Sequence, residues 1–211
     1  VDLSSPISSV IPSAHGAVLA VLARTHEPLS GRRVAALTEG RVGQRRVNDV
    51  LGELADAGIV RCEHHPPAKL YVLNREHVAA AGVIALASQW EELLRRIRDE
   101  LVDWQVPPVS ACLFGSAARG QASSDSDLDI LLVPGFDDDR LTLVWQEQVD
   151  RLTELVGAWS GNACEVLELS TEELAAAAAR NDRLVHDLKA DAITLGGRDV
   201  RSLLRVAKAP S

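Results

Sequence analysis

Aromatic residues are scarce: four Trp, two Phe and one Tyr make up 3% of 211 residues. Alanine and valine supply much of the apolar content instead, which favours helices and compact strands. No apolar run reaches the ~20 residues that a membrane-spanning helix needs. No basic segment followed by an apolar one opens the sequence, so neither a bilayer span nor a secretory leader is expected. Cysteine is limited to Cys62, Cys112 and Cys164. Their odd number and wide spacing exclude a disulfide framework and point to reduced thiols in a cytoplasmic setting. Cys112 and Cys164 fall in predicted strands, where a thiol acts as a small apolar residue. The remaining balance, 46% hydrophobic and 25% charged, is that of an ordinary globular chain. There is room for one large domain or two small ones.

Positive charge is also in short supply, and it is unevenly spread. The net charge is −8. Residues 1–78 hold nine Lys/Arg against eight Asp/Glu, and the remainder holds 13 against 22. An acidic chain has no general attraction for nucleic acid, so only the first segment is a candidate for binding it.

Residues 1–13 contain Ser and Pro and are expected to fray. A helix is predicted from Ala14, with Val18, Leu19, Val21 and Leu22 apolar, ending before Pro28. Ser30 starts a second helix, Gly31 to Leu37, and Gly40 and Gly43 bracket a turn. A third helix, Gln44 to Ala57, sets Val47, Val50, Leu51 and Leu54 on one face. Gly58 is its stop signal. Two strands, Ile59 to Glu63 and Lys69 to Leu73, flank His64-His65-Pro66-Pro67. Three helices and a hairpin in this order resemble a winged helix-turn-helix module. The resemblance implies that the third helix enters the major groove of DNA. Gln44, Arg45, Arg46 and Asn48 would then face DNA, Arg32, Arg33 and Arg41 would meet phosphates, and Lys69 would reach from the wing. The alternative is a set of solvated charges on a module that contacts protein or a second copy of the chain. Cys62, His64 and His65 are too few ligands, at poor spacing, for zinc; they read as a solvated wing tip.

Residues 79–104 are predicted as one long helix, with Ile84, Leu86, Trp90, Leu93, Leu94, Ile97, Leu101 and Trp104 apolar and the opposite face charged. Pro107 and Pro108 end it. The helix joins two domains, or lends part of its stripe to a homodimer interface.

The stretch Phe114 to Ile130, FGSAARGQASSDSDLDI, carries the chemistry. An apolar run, Val109 to Phe114, reads as a short buried strand. Gly115 and Ser116 follow, and a small-residue segment to Gly120 reads as the first turn of a helix. A second strand, Leu128 to Val133, starts inside the pair Asp127 and Asp129. Residues two apart on a strand share a face, with Cα atoms about 6.5–7 Å apart. Two carboxylates therefore project together beside a Gly-Ser turn. Backbone N–H groups at such a turn can meet phosphate oxygens, and paired carboxylates suit Mg²⁺. The stretch resembles the signature of the nucleotidyltransferase superfamily related to DNA polymerase beta, in its minimal form. Gly115, Ser116, Ala118, Arg119, Gly120, Ser126, Asp127 and Asp129 all match, and the resemblance covers roughly residues 106–197.

Beyond these strands, Asp137-Asp138-Asp139 has the look of a metal site, but it precedes a predicted helix, Asp139 to Trp159, and there carboxylates suit the positive end of the helix dipole. That helix carries Leu141, Val144, Trp145, Gln148, Leu152 and Leu155 along one face. Gly161-Asn162 turns into a third strand, Ala163 to Leu169. The resemblance implies a third carboxylate from this strand. Glu165 fits, and Glu168, on the opposite face, is its competitor; the family's usual residue is Asp. Ser170, Thr171 and Glu173 approach a capping box. Two helices are predicted at Glu172 to Ala179 and Asp182 to Ala190, then Ile193-Thr194-Leu195 as a closing strand or a turn. The tail, 198–211, could form one short helix.

The expected fold is α+β: a winged helix-turn-helix over 1–78, a joining helix over 79–105 and a small mixed-sheet nucleotidyltransferase fold over 106–197. The resemblance implies transfer of an NMP from an NTP, with ATP the expected donor and pyrophosphate released. Mg²⁺, or Mn²⁺ in its place, would sit on Asp127, Asp129 and Glu165. Gly115, Ser116, Arg119 and Ser126 would hold the nucleotide, Arg119 having local pairing with a carboxylate as its alternative role. The acceptor would be a protein, an RNA end or a small molecule, and minimal members of the superfamily resemble components of toxin–antitoxin pairs. The alternative is a transcription regulator whose rear domain senses a nucleotide without turnover.

Overall fold

The computed structural model describes residues 6–66, 68–121, 126–136 and 139–206. Asp137 and Asp138, read above as helix-dipole carboxylates, lie outside the described residues, as do the last five residues of the tail. The chain divides into two compact units between Trp90 and Glu91.

The front unit is built of α1 (Pro6–Val10), α2 (Ala14–Ala23), β1 (Leu29–Ser30), α3 (Gly31–Leu37), α4 (Gln44–Asp56), β2 (Val60–His65), β3 (Ala68–Leu73) and α5 (Ala80–Ala87). Its three strands form an antiparallel sheet in the order β1-β3-β2. The α4 stripe is the one the spacing predicts: Val47, Val50 and Leu51 are fully buried, with Val18, Leu22 and Val34 from α2 and α3. Ser30 caps α3, its Oγ accepting from the Arg33 N–H at 3.3 Å. Such a cap contributes about 1 kcal/mol. Gly58 takes φ +73 and ends α4, with the Ile59 N–H returning to the Leu54 carbonyl. The hairpin runs longer than predicted. Its ladder continues to His64↔Lys69 and His65↔Ala68, because exposed imidazoles cost nothing on an outward-facing strand end.

The segment predicted as one helix over 79–104 is two. Ser88 separates α5 from α6 (Gln89–Val102). The halves serve different cores: Val83 and Ala87 join the front cluster, while Leu93, Leu94, Ile97 and Leu101 are buried in α6 of the rear unit.

The rear unit continues with β4 (Ser110–Phe114), α7 (Gly115–Ala118), β5 (Leu128–Val133), α8 (Asp139–Ser160), β6 (Cys164–Glu168), α9 (Thr171–Ala179), α10 (Arg183–Asp191), β7 (Ile193–Gly197) and α11 (Val200–Val206). The sheet order is β6-β5-β4-β7. The β5/β6 pair is parallel; β4 is antiparallel to both β5 and β7. The apolar triplet at 193–195 is thus a strand. Leu128 and Ile130 through Val133 are fully buried, as an interior strand covered on both faces requires.

The buried line of α8 is rotated from the predicted one, running Trp145, Val149, Leu152 and Val156. Gln148 instead brackets a backbone unit, its Nε2 donating to the Val106 carbonyl and its Oε1 accepting from the Val106 N–H, both at 3.1 Å. The capping box forms on α9: Ser170 Oγ accepts from the Glu173 N–H at 3.1 Å and Glu173 Oε2 from the Ser170 N–H at 2.9 Å. Among the described residues no helix is long and apolar enough to cross a membrane.

Candidate functional site

The site begins where β4 ends. Phe114 is still extended, and Gly115 turns the chain with φ +73, a region that favours glycine. Sterics demand glycine a second time. A Cβ on residue 115 would lie 2.2 Å from Asp129 Oδ2 and 3.1 Å from its Cγ. The Asp129 carboxylate is therefore seated against the bare face of Gly115. The turn is closed by the Gly120 N–H on the Ala117 carbonyl and the Gln121 N–H on the Ser116 carbonyl, each at 3.0 Å.

Strand register then aligns the acids. Asp129 pairs with Phe114 on one side and with Glu165 on the other. Asp127 stands exposed just before β5, while Asp129 is half-buried. Burial, then the charges of Glu165 and Asp127, raise the proton affinity of Asp129 above the usual carboxylate range, against an opposing pull from Arg119. Cys164 lies close enough to Asp129 and Glu165 to feel both; burial first, and then those charges, push its thiol up to about 12. It is an inert thiol at neutral pH.

Glu168, the competing acid, faces other partners. It accepts from the Trp145 indole N–H, and from Gln146 Nε2 at 3.4 Å. Its carboxylate is engaged by α8, and Glu165 alone of the two stands in register with Asp129. Arg119 pairs locally: its Nη1 is 3.3 Å from Asp191 Oδ2, and its Nε donates to Gln121 Oε1 at 3.3 Å. Ser126 is held through its backbone carbonyl, which accepts from Asn162 Nδ2 at 2.9 Å.

Two contributors escaped the sequence-based expectations. Asp191 had a readable signal: an acid in the last turn of α10 opposes the helix dipole and calls for a cation partner. Asn162 had none, since a Gly-Asn turn looks alike whether or not its amide is used.

The donor set is all oxygen, as Mg²⁺ favours, and the repulsion felt by Asp129 is what a divalent cation would relieve. Among the described residues, however, no group of three or more His, Cys, Asp and Glu side chains is gathered for metal binding. The residues fit a cation held by one or two carboxylates and completed by phosphate oxygens and water, the usual manner for Mg²⁺. They do not form a complete cage from protein alone.

In the front unit, Gln44, Arg45 and Lys69 are exposed. Arg46 is paired with Glu53 at 3.0 Å, and His15 reaches the other Glu53 oxygen at 2.8 Å. Asn48 Oδ1 lies against Gly31, where a Cβ would be 2.0 Å away, so this side chain also packs α4 on α3. Arg41 pairs with Glu39 at 3.6 Å, while Arg32 and Arg33 are exposed. His65 pairs with Glu63 at 3.1 Å.

Residues 94–159 match the family model of the nucleotidyltransferase domain. The match takes in Gly115, Ser116, Asp127 and Asp129, and ends before Glu165. No curated protein matches the chain. Among solved structures, partial likeness is found to a toxin-antitoxin crystallised with AMP-PNP, at 16% identity and TM-score 0.36, covering 54% of this chain and 82% of that one. Another is human N-acetylserotonin methyltransferase in complex with SAM, at 17% identity and TM-score 0.28, covering 44% of this chain and 31% of that one. TM-scores this low fall short of a shared fold.

Proposed function

We propose that the rear unit transfers a nucleoside monophosphate from an NTP, with ATP the expected donor, to an acceptor hydroxyl. The observation that carries this reading is the alignment of Asp129 between Gly115 and Glu165, inside a segment whose greater part matches the nucleotidyltransferase domain. Asp127 and Asp129 are the residues to hold Mg²⁺, with Glu165 as third acid. When bound, the cation supplies charge neutralisation for the triphosphate and the departing pyrophosphate. The N–H groups of Gly115 and Ser116 and the Ser116 hydroxyl are suited to phosphate oxygens. Glu165, exposed beside Asp129, is suited to accept the proton of the acceptor hydroxyl. Arg119 offers a cation to the triphosphate once its pairing with Asp191 is exchanged for phosphate. The acceptor is a protein side chain, an RNA end or a small molecule.

The front unit is proposed as a winged helix-turn-helix module that binds DNA through α4 and the hairpin. Exposed Gln44, Arg45 and Lys69 support that reading, with Arg46 and Asn48 partly engaged within the unit.

A nucleotide sensor without turnover is the second reading. Its support is that the described acids do not gather into a ready metal cage. The deciding experiment incubates the purified chain with each α-³²P-labelled NTP, Mg²⁺ and cell lysate. Label transferred to an acceptor, and lost in Asp127→Asn/Asp129→Asn, supports the transferase. Binding without transfer supports the sensor.

A further inference from the structure

Asp127 precedes β5, yet hydrogen bonds bracket it on both sides. The Leu128 N–H donates to the Ala163 carbonyl at 2.8 Å. The Asn162 side-chain amide donates to the Ser126 carbonyl at 2.9 Å. Both partners belong to the turn between α8 and β6, which is itself firmly set. Gly161 takes φ +71, and its N–H reaches the Gly157 carbonyl at 2.8 Å. Ser160 Oγ donates to the Val156 carbonyl at 2.7 Å and accepts from the Asn162 N–H at 3.1 Å. Asn162 is 4% exposed and Ser160 3%. A buried side-chain amide is tolerated only where hydrogen bonds offset its desolvation. This one grips the carbonyl immediately before an exposed carboxylate, 36 residues away in sequence.

We propose that Asn162 is a positioning residue, whose amide fixes the Ser126 carbonyl so that the Asp127 carboxylate stands beside Asp129 to receive a divalent cation and its triphosphate. The inference rests on the reading of these acids as cation ligands. It assigns Asn162 no contact with the nucleotide. Its influence on Asp127 passes through the backbone of Ser126.

The test uses the full chain, with Mn²⁺ and ATP as probes. Mn²⁺ binding in the presence of ATP is followed by electron paramagnetic resonance, and amide hydrogen exchange over residues 126–133 is followed without ligand. The proteins are wild type, Asn162→Asp, Asn162→Ala, Asp127→Asn and the double variant Asn162→Ala/Asp127→Asn. Asn162→Ala adds neither charge nor volume, so it keeps a folded reference where Asn162→Asp destabilises the turn. The expected result is a Mn²⁺ affinity at least tenfold weaker in Asn162→Ala, with exchange at least tenfold faster at Leu128 and Asp129 and unchanged at Leu131 and Val133. On the Asp127→Asn background the Asn162 substitution should cost nothing further, a non-additivity that a general structural role does not produce. Wild-type affinity in the Asn162 variants, or the same loss on both backgrounds, overturns the inference alone. A wild-type chain that binds no Mn²⁺ with ATP removes the proposed function and the inference with it.

Discussion

Asp129 and Glu165 are in-register partners on the parallel strands β5 and β6, two acids set side by side where a sheet ordinarily avoids like charges. Burial and this neighbour both raise the Asp129 proton affinity above its usual 3.8. Between 3.8 and the raised value, the folded chain binds more protons than the unfolded one. Stability therefore falls as pH rises through that window. Asparagine at 129 removes both the desolvation and the repulsion. Asp129→Asn is expected to melt at least as high as wild type at pH 7, and the gap should close as pH falls toward 3.8. Thermal melts of the two proteins across that range check this. A wild type that melts higher at pH 7 would contradict it.

Gly115 and Gly120 make a matched pair. Both have positive φ, +73 and +68, but a Cβ at 115 meets the Asp129 carboxylate while a Cβ at 120 meets nothing within 4 Å among the described residues. Alanine at either position should cost about 1–2 kcal/mol of backbone strain. Only Gly115→Ala should also displace Asp129, and a displacement of about 1 Å can lower turnover about 100-fold. Comparable melts with activity lost in one variant alone is the expected pattern. Equal activity would show that Asp129 need not sit where it does.

The two glutamates of β6 should separate cleanly. Glu165→Gln is expected to lower label transfer by about 10²- to 10⁴-fold, the range for removing a general base, with a melt no lower than wild type, since it too removes the repulsion of Asp129. Glu168→Ala should retain most activity but leave the largely buried Trp145 indole N–H without its carboxylate partner. That loss costs about 1–3 kcal/mol. The reverse outcome, with Glu168 essential and Glu165 dispensable, would move the third acid to the other face of the strand.

These contrasts also mark how far the chain could be read without coordinates. Gly115 through Asp129 is legible because its chemistry is local: a turn, a spacer and a strand start within fifteen residues. The α4 stripe is legible because period alone determines which face is buried. The α8 face is not, since Gln148 and Val149 compete for the inward direction and a backbone amide at Val106 decides between them. Nor is the break at Ser88, since the apolar spacing runs on through it while the two sides serve separate cores. Asn162 with Ser126 and Arg119 with Asp191 join residues 36 and 72 positions apart. Such pairings come from strand order, which residue spacing does not carry.

Among the exposed charges of α4, Arg46 is already committed. Its guanidinium lies 3.0 Å from a Glu53 carboxylate that His15 also holds. The Arg46 pairing lowers the proton affinity of Glu53, so the acid stays ionised at neutral pH. A phosphate must compete with that acid for Arg46, whereas Arg45 has no ion-pair partner among the described residues. If the front unit binds DNA, Arg45→Ala should weaken it more than Arg46→Ala, and Glu53→Gln should strengthen it by releasing Arg46. Each phosphate that no longer meets a cationic side chain should reduce the slope of log K against log salt by about 0.9. Gel shifts of the three variants at two or more salt concentrations read both quantities. Identical binding by all three would remove α4 from the DNA-facing surface and leave the module to a protein partner.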